Sequence, residues 1–491
     1  MSLSNAAAIT QSGLASVTTE IATLSRNVSG ASDTAYYSRK SANVASTAYG
    51  SQVVSVSRAS NRAVFENLLA ATAASAAQDA TKASLETLSQ AMGSVSSEDA
   101  QSGTLTTLIG NLSGALQYYS ATPSDATAAG NVVSAAEELA RRLNEASDDV
   151  QKLRQSTDQD IASAVADVND LLARFGEVDD KIVKGLASSR DVGDLQDQRD
   201  AILKQLSSDI GVTTTLDADG GMSIYADGGA TLFQGGRARA VTFVPTETYV
   251  ASTVGRQVYV DGVAVTGVSA AMPATSGKIA GLAKARDEVA VSSQAQLDNI
   301  AAALIETFRE SAQSGGGPDR PGLFTTFGAS AMPSSSTGLA ASIVVNATVD
   351  PTQGGDVNLL RDGGISDPAG SLYTYNATGA ASYVGRISQL SDALASVRSF
   401  PAGGEITTSA SVGDYAAAAA SWLQSARASA TDAADYQETV RSAASTALSN
   451  ATGVNINDEM SKMLDLEQSY TASAKLLSAI NDMFKSLLNG I

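Results

Sequence analysis

From Met463 to Ile491 an apolar residue returns at every third or fourth position: Met463, Leu466, Tyr470, Ser473, Leu477, Ile480, Phe484, Leu487 and Ile491, with Ser473 the one polar member. This is the a/d seam of a heptad, and it predicts a helix that must lay the stripe against another surface. Asn455 or Asn457 can cap that helix, and Asp458 and Glu459 then fall in its first turn, where the helix dipole favours negative charge. The opposite end carries a matching seam of Leu3, Ala7, Thr10, Leu14, Val17, Ile21, Leu24 and Val28, again with a single polar member. Burying a large side chain contributes about 1.5–3 kcal/mol, but ordering each residue of backbone costs about 1–2 kcal/mol, so neither helix is stable alone. The two ends are expected to pair. Because both stripes lie at the extremities of this sequence, neighbouring copies are expected to complete their burial. The expected subunit-interface residues are Leu14, Val17, Ile21, Leu24 and Val28 on one side, and Met463, Leu466, Tyr470, Leu477, Ile480, Phe484 and Leu487 on the other.

Composition removes most other chemistries. With 51 acidic against 32 basic residues the 491-residue chain carries a net charge of -19, which disfavours grip on a phosphate backbone. The basic pairs Arg39-Lys40 and Arg141-Arg142 read as solvated surface. Cysteine and histidine are both absent, so a disulfide framework, the usual zinc sites, imidazole-dependent triads and a histidine pH switch are all excluded. Carboxylate, lysine and tyrosine chemistry remain open. No apolar run approaches the ~18 residues of a membrane span, and the spaced apolar positions before Arg26 do not make a secretory signal. The usual signals therefore read as cytoplasmic, although a dedicated export route would leave no such mark.

Taken in order, the chain predicts a mainly α protein with β inserts: an elongated helical bundle or coiled coil built from both chain ends, with antiparallel β domains in the middle. Residues 1–60 form an assembly helix and a polar, Ser-rich connector containing Tyr36, Tyr37 and Tyr49, in which Val54 and Val56 alternate as an extended segment. Residues 61–210 form the first part of a helical rod, with a seam of Ile161, Val165, Val168, Leu172, Phe175, Val178 and Ile182 on a helix spanning about Val132 to Ile182, roughly 75 Å long. A helix from Asp194 to Ile210 follows, supported by an Asp200 to Lys204 pair one turn apart. Residues 211–275 alternate in short runs between Asp-Gly turns and predict a small antiparallel β domain. Helix resumes over 276–315, a second irregular and β-containing insert occupies 316–404, an Ala-rich helix with Trp422 covers 405–452, and the terminal helix covers 453–491. This nested order puts both ends at one pole of a rod.

Local constellations give little chemistry. Asp217-Ala218-Asp219-Gly220-Gly221 has calcium-type ligands but no glutamate at the twelfth position, and reads better as a hairpin turn. Gly235-Gly236 and Gly315-Gly316-Gly317 lack the Lys and Ser/Thr of a phosphate loop. A glycosidase would need two carboxylates facing across a cleft, and 51 acidic residues single out no pair.

The segment Gly453-Val454-Asn455-Ile456-Asn457-Asp458-Glu459-Met460, followed by Leu464, Leu466-Glu467-Gln468 and Tyr470, resembles the closing motif of the bacterial flagellar hook-filament junction proteins, the hook-associated protein 1 family. Ser12-Gly13-Leu14 with Ile21, Ser25 and Asn27, then Tyr37-Ser38-Arg39, is similar to the N-terminal signature of rod, hook and junction proteins. Asp194, Leu195, Asp197, Gln198, Arg199 and Asp200, within Asp194-Leu195-Gln196-Asp197-Gln198-Arg199-Asp200, resemble an internal motif of the junction family. The sequence Ser32-Asp33-Thr34-Ala35-Tyr36 departs from the family's Asn-Thr-Pro-Gly-like turn. The resemblance implies a structural adaptor with no cofactor and no catalysis, forming a homo-oligomeric ring between hook and filament. It also implies contacts with the hook protein and with the next hook-associated protein on the filament side, and an export chaperone at the C-terminal region. It places the protein outside the cell, in the flagellum, reached through the flagellar export channel without a cleaved signal, with neither nucleic acid nor membrane insertion involved. The alternatives are a hook- or filament-type subunit, a surface adhesin, or a carboxylate-dependent peptidoglycan-cleaving enzyme.

Overall fold

The computed structural model describes residues 3–32, 38–47, 50–92 and 103–489. The turn expected at 32–37, Tyr36, Tyr37, Tyr49 and the last seam residue Ile491 fall at or beyond the edges of these segments.

The chain opens with α1 (Leu3–Gly30) and an antiparallel hairpin of β1 (Lys40–Thr47) and β2 (Gly50–Arg58). It enters the rod through α2 (Arg62–Ala91), α3 (Leu105–Ala121), α4 (Ala126–Ala187) and α5 (Gly193–Asp209). The first insert contains β3 (Val212–Leu216), β4 (Met222–Ala226), β5 (Thr231–Gln234), β6 (Arg237–Ala238), β7 (Val241–Thr242), β8 (Tyr259–Val260) and β9 (Val263–Ala264). The rod continues with α6 (Lys278–Lys284), a π turn (Ala285–Val289) and α7 (Ala290–Thr307). The second insert holds β10 (Phe324–Thr326), α8 (Leu339–Ser342), β11 (Ile343–Val345), α9 (Leu359–Asp362), α10 (Gly385–Ala395), β12 (Arg398–Ser399) and β13 (Ser409–Ala410). Helices α11 (Val412–Thr452) and α12 (Ile456–Leu488) close the fold.

The nesting expected from the sequence is realised: α12 lies along α1, and α11 lies along α2. The inner pair runs antiparallel, the Ser75 hydroxyl meeting Glu438 at 3.4 Å toward one end and the Gln424 amide donating to the Ser89 hydroxyl at 3.4 Å toward the other. The rod's spine is α4, 62 residues and about 93 Å long. Asp125 caps it by accepting the Thr127 amide at 2.8 Å. Its apolar stripe serves two cores in succession. Val132, Ala136, Leu139, Leu143 and Val150 pack with α3, α7, α10 and the second insert. Ile161, Val165, Val168, Leu172, Phe175, Val178 and Ile182, the seam read from the sequence, are all buried against α5, α6 and the first insert.

Local expectations are met in part and changed in part. The polar connector within 29–60 is largely the β1–β2 hairpin, with Lys40 opposite Arg58 and Thr47 opposite Gly50. The extended segment read at Val54 and Val56 is strand β2, while β1 is too polar to show its pairing in the sequence. The first insert is two sheets, β3-β4-β5-β6 and β7-β8-β9. Asp217-Ala218-Asp219-Gly220-Gly221 is the β3–β4 turn, in which the Asp217 amide donates to the Gly221 carbonyl at 2.8 Å. The 278–307 helix is interrupted by the π turn at Arg286. Within the second insert, Leu359 and Leu360 open a short helix.

Candidate assembly interface and its joint to the rod

The α1–α12 pair and the β1–β2 hairpin form one terminal unit, hereafter the stem. On α1, Leu24 is buried and Leu14, Val17, Ile21 and Val28 are half-buried. On α12, Ile480 is buried, Met463, Leu466, Leu477 and Phe484 are half-buried, and Tyr470 and Leu487 are exposed. The seam is thus the face that α12 turns toward α1, only partly closed. Beside it Met460, Leu464, Leu476, Met483 and Leu488 are exposed, the last at 74%. Asn455 caps α12 by accepting the Asn457 amide.

The most buried residues of α1 are mainly polar: Thr10, Ser16, Thr23 and Asn27. They face the hairpin and other backbone. Ser12 and Ser16 hydroxyls both donate to the Ser51 carbonyl, at 2.6 and 2.8 Å, while Thr10 and Thr23 bond back into their own helix. At the hairpin's tip, Gly50 has φ +113° and lies so close to α1 that a Cβ there would sit 2.9 Å from the Ile9 carbonyl oxygen. At the base of the stem, Asn27 joins three elements. Its side-chain amide donates to the Lys40 carbonyl and to Glu459 Oε2, both at 2.8 Å, and its Oδ1 accepts the Lys40 amide at 2.9 Å. The segment before the hairpin is stitched to the rod's end, where the Arg39 amide donates to the Thr452 carbonyl at 2.8 Å.

The internal motif on α5 meets the hairpin directly. Asp194, Asp197 and Asp200 recur at every third residue and so share one face of the helix. Lys40 Nζ donates to Asp194 and lies 3.5 Å from Asp197 Oδ2, while Arg58 bonds Asp197 through Nε at 2.8 Å and Asp200 through Nη2. Burial pushes the Asp197 carboxyl up, and the Arg58 and Lys40 cations pull it back only in part. Gly193 leaves room for this approach, since a Cβ there would meet Lys40 Cε at 3.1 Å. Arg199 points to the other side of α5. Its Nη1 donates to Asp179 of α4 at 2.9 Å and to the Gly220 carbonyl of the β3–β4 turn at 3.1 Å. Leu195 is half-buried and packs against the core built on the Ile161 to Ile182 seam, and Gln198 is exposed. The carboxylate of Asp200 is therefore engaged by Arg58 across the joint, a partner the expected one-turn pairing within α5 did not include.

Lys40 corrects the reading of the basic pairs as solvated surface, because it is 2% exposed. Arg142 corrects it too: it is half-buried and donates to the Ala91 carbonyl at 2.8 Å, at the C-terminal end of α2. Periodicity could not reveal Lys40, Arg58 or Glu459 as interface residues, because their partners lie far away in sequence and ion pairs leave no local pattern.

Where the two cores meet, α4 carries charge in place of its apolar stripe. Asp158 and Arg286 are wholly buried and bonded at 2.5 Å. Asp158 also accepts the Thr246 amide at 2.5 Å and the Tyr249 hydroxyl at 2.9 Å. Arg154 donates to the carbonyls of Val250 and Thr253, and Arg286 to that of Arg256. Burial works against the Arg286 cation, but its bonds to Asp287 and Asp158 more than offset this and its pKa moves up. The π turn brings Arg286 into this cluster, which straps the loop 246–256 of the first insert onto the spine.

The model of the flagellar hook-associated protein FlgK helical domain matches residues 65–322, more than half of the chain. The chain belongs to the FlgK family. The FlgK-type helical region so matched runs from α2 through the acidic motif and both sheets of the first insert. The model of the flagellar basal body rod FlgEFG protein C-terminal region matches residues 446–490, the end of α11 and all of α12. No curated protein matches the chain. The flagellar hook junction protein FlgK of Burkholderia pseudomallei is similar in structure, at 22% identity and a TM-score of 0.42, over 53% of this chain and 46% of that one. Among the described residues, no helix is long and apolar enough to cross a membrane.

Proposed function

We propose that this protein is a structural adaptor of the bacterial flagellum, a junction piece that copies of itself build into a ring between hook and filament. The observation that carries this reading is the stem's incomplete burial. Helix α12 has 33 residues, of which only Glu459 and Ile480 are buried, and it presents Leu464, Leu476, Met483 and Leu487 to solvent at the end of a rigid rod. An exposed apolar surface of this length needs covering. Copies packed side by side would cover it with their own stems, while hook protein and the next hook-associated protein would abut the ring from either side. The subunit-interface role extends to Leu14, Val17, Ile21, Leu24 and Val28 of α1 as the inner face against which α12 is laid. Export through the flagellar channel, with a chaperone holding the C-terminal region until then, would deliver such a part to the outside of the cell. The reading requires no catalytic step and no cofactor.

Electron microscopy of a strain lacking the gene tests it. Hooks of normal length without filaments are expected, with filaments restored by the full-length chain. Loss of the hooks themselves would assign a hook subunit instead, and intact filaments would sink the reading.

A further inference from the structure

We infer that Asp194, Asp197 and Asp200 are positioning residues that fix the direction in which the stem leaves the rod. The inference deepens the junction reading and rests on it for its biological consequence, but the geometry stands by itself.

Among the described residues, no helix or strand of the stem packs extensively against a helix or strand of the rod. The chain crosses between the two beside Ser60 and beside Gly453, and one backbone bond, Arg39 to Thr452, ties the crossings together. Alongside lies an open groove of about 680 Å3, floored by Phe65, Leu68 and Met222 and walled by Leu448 of α11. Apolar packing therefore does not set the angle here. The acidic ladder does, because it takes hold of the hairpin at two points. Lys40 is held at Asp194 and Asp197, and Arg58 at Asp197 and Asp200, so rotation of the hairpin about either point breaks a bond at the other.

Both ends of this clamp are anchored. On the stem side, the same Lys40 backbone is bonded to Asn27, which is bonded to Glu459, so the hairpin's position is passed to α1 and α12. On the rod side, Arg199, from the opposite face of the same helix, fastens α5 to Asp179 of the spine and to the β3–β4 turn. The seven-residue motif is thus a two-sided connector between the stem, the spine and the first insert. For a subunit whose stem must fit a ring while its rod stands outside it, this angle is the quantity that has to be reproduced in every copy.

The chain has no cysteine, so a pair of spin labels can be placed without background at Ala22→Cys on α1 and Ala173→Cys on α4, both exposed. The distance between them is then read by pulsed electron resonance on the purified full chain. Asp194 is open to water and Asp200 is partly so, which makes the double variant Asp194→Asn, Asp200→Asn a mild change to the fold. With the ladder intact, one narrow distance distribution is expected. In the double Asn variant it should widen to roughly twice that width as the stem samples several directions, and in the double Glu variant, which keeps the charges, it should stay narrow. An unchanged distribution in the Asn variant overturns the inference. So does equal broadening in the Glu variant, because charge would then not be what holds the angle. The distance is measured on the isolated molecule and does not depend on filament growth, so failure of the junction reading and failure of the clamp are told apart.

Discussion

Asn27 of the first helix and Glu459 of the last, 432 positions apart in sequence, share a hydrogen bond of 2.8 Å with both residues shut away from solvent. Asn27→Ala removes the donor and leaves the Glu459 carboxylate buried, with the Lys462 ammonium 3.8 Å away. A cost of about 2–3 kcal/mol is expected, since a hydrogen bond to a charged group is lost and the charge remains. The loss is local to the stem, so amide exchange should quicken in α1 and α12 while the rod's amides stay protected. Equal quickening in α4 would show that stem and rod unfold together.

Asp158→Ala should destabilise the rod by about 3 kcal/mol, because it leaves the wholly buried Arg286 with one carboxylate partner fewer and frees Tyr249 and the Thr246 amide. The strap over 246–256 is expected to loosen first. Limited trypsin digestion should then cut at Arg256 in the variant and spare it in the parent.

Asp209 makes stability depend on pH. Burial, with the Asp167 charge adding to it and Lys278 opposing, pushes its carboxyl up to about 6. The folded chain therefore holds this proton more tightly than the unfolded one, and stability falls as pH rises between the unfolded value near 4 and about 6, then stays at the lower level above that. Asp209→Asn should be more stable than the parent by about 1 kcal/mol at pH 7, below the full linkage value because the side chain still reaches water. In urea titrations that advantage should shrink as pH is lowered from 7 to 4. A constant gap would assign it to another cause.

Leu464→Asp and Leu476→Asp change residues that are each 57% exposed. The monomer's denaturation midpoint should barely move, within about 0.5 kcal/mol, whereas complementation of filament growth should fail. Phe484→Asp is a less clean probe, because Phe484 is half-buried and faces α1. That variant should loosen the stem itself, visible as faster exchange in α1.

The sequence makes legible what a repeating pattern can encode. The α4 seam from Ile161 to Ile182 is buried as its spacing requires, the Asn455 cap starts α12, and the pairing of the two ends follows from stripes that could not stand alone. What escapes is single contacts between distant residues. Lys40 looks like one half of a surface basic pair until the hairpin carries it to Asp194 and Asp197. The π turn at Arg286 has no signature either, and the Asp158 it faces lies far away in the sequence. The acidic motif could be recognised but its partners could not, because Arg58 on one face of α5 and Asp179, bound by the motif's own Arg199, on the other lie elsewhere in the sequence.

The nesting of α1 with α12 around α2 with α11 also orders events in time. Closing a loop of 432 residues from a fully unfolded chain would cost about 5 kcal/mol in entropy before any contact rewarded it. A rod that folds first holds Arg62 and Thr452 near one another and removes most of that distance, so the slow, non-local step is left to the very end. For a polypeptide arriving amino end first, Asn27 is among the earliest residues to appear and among the last to be satisfied.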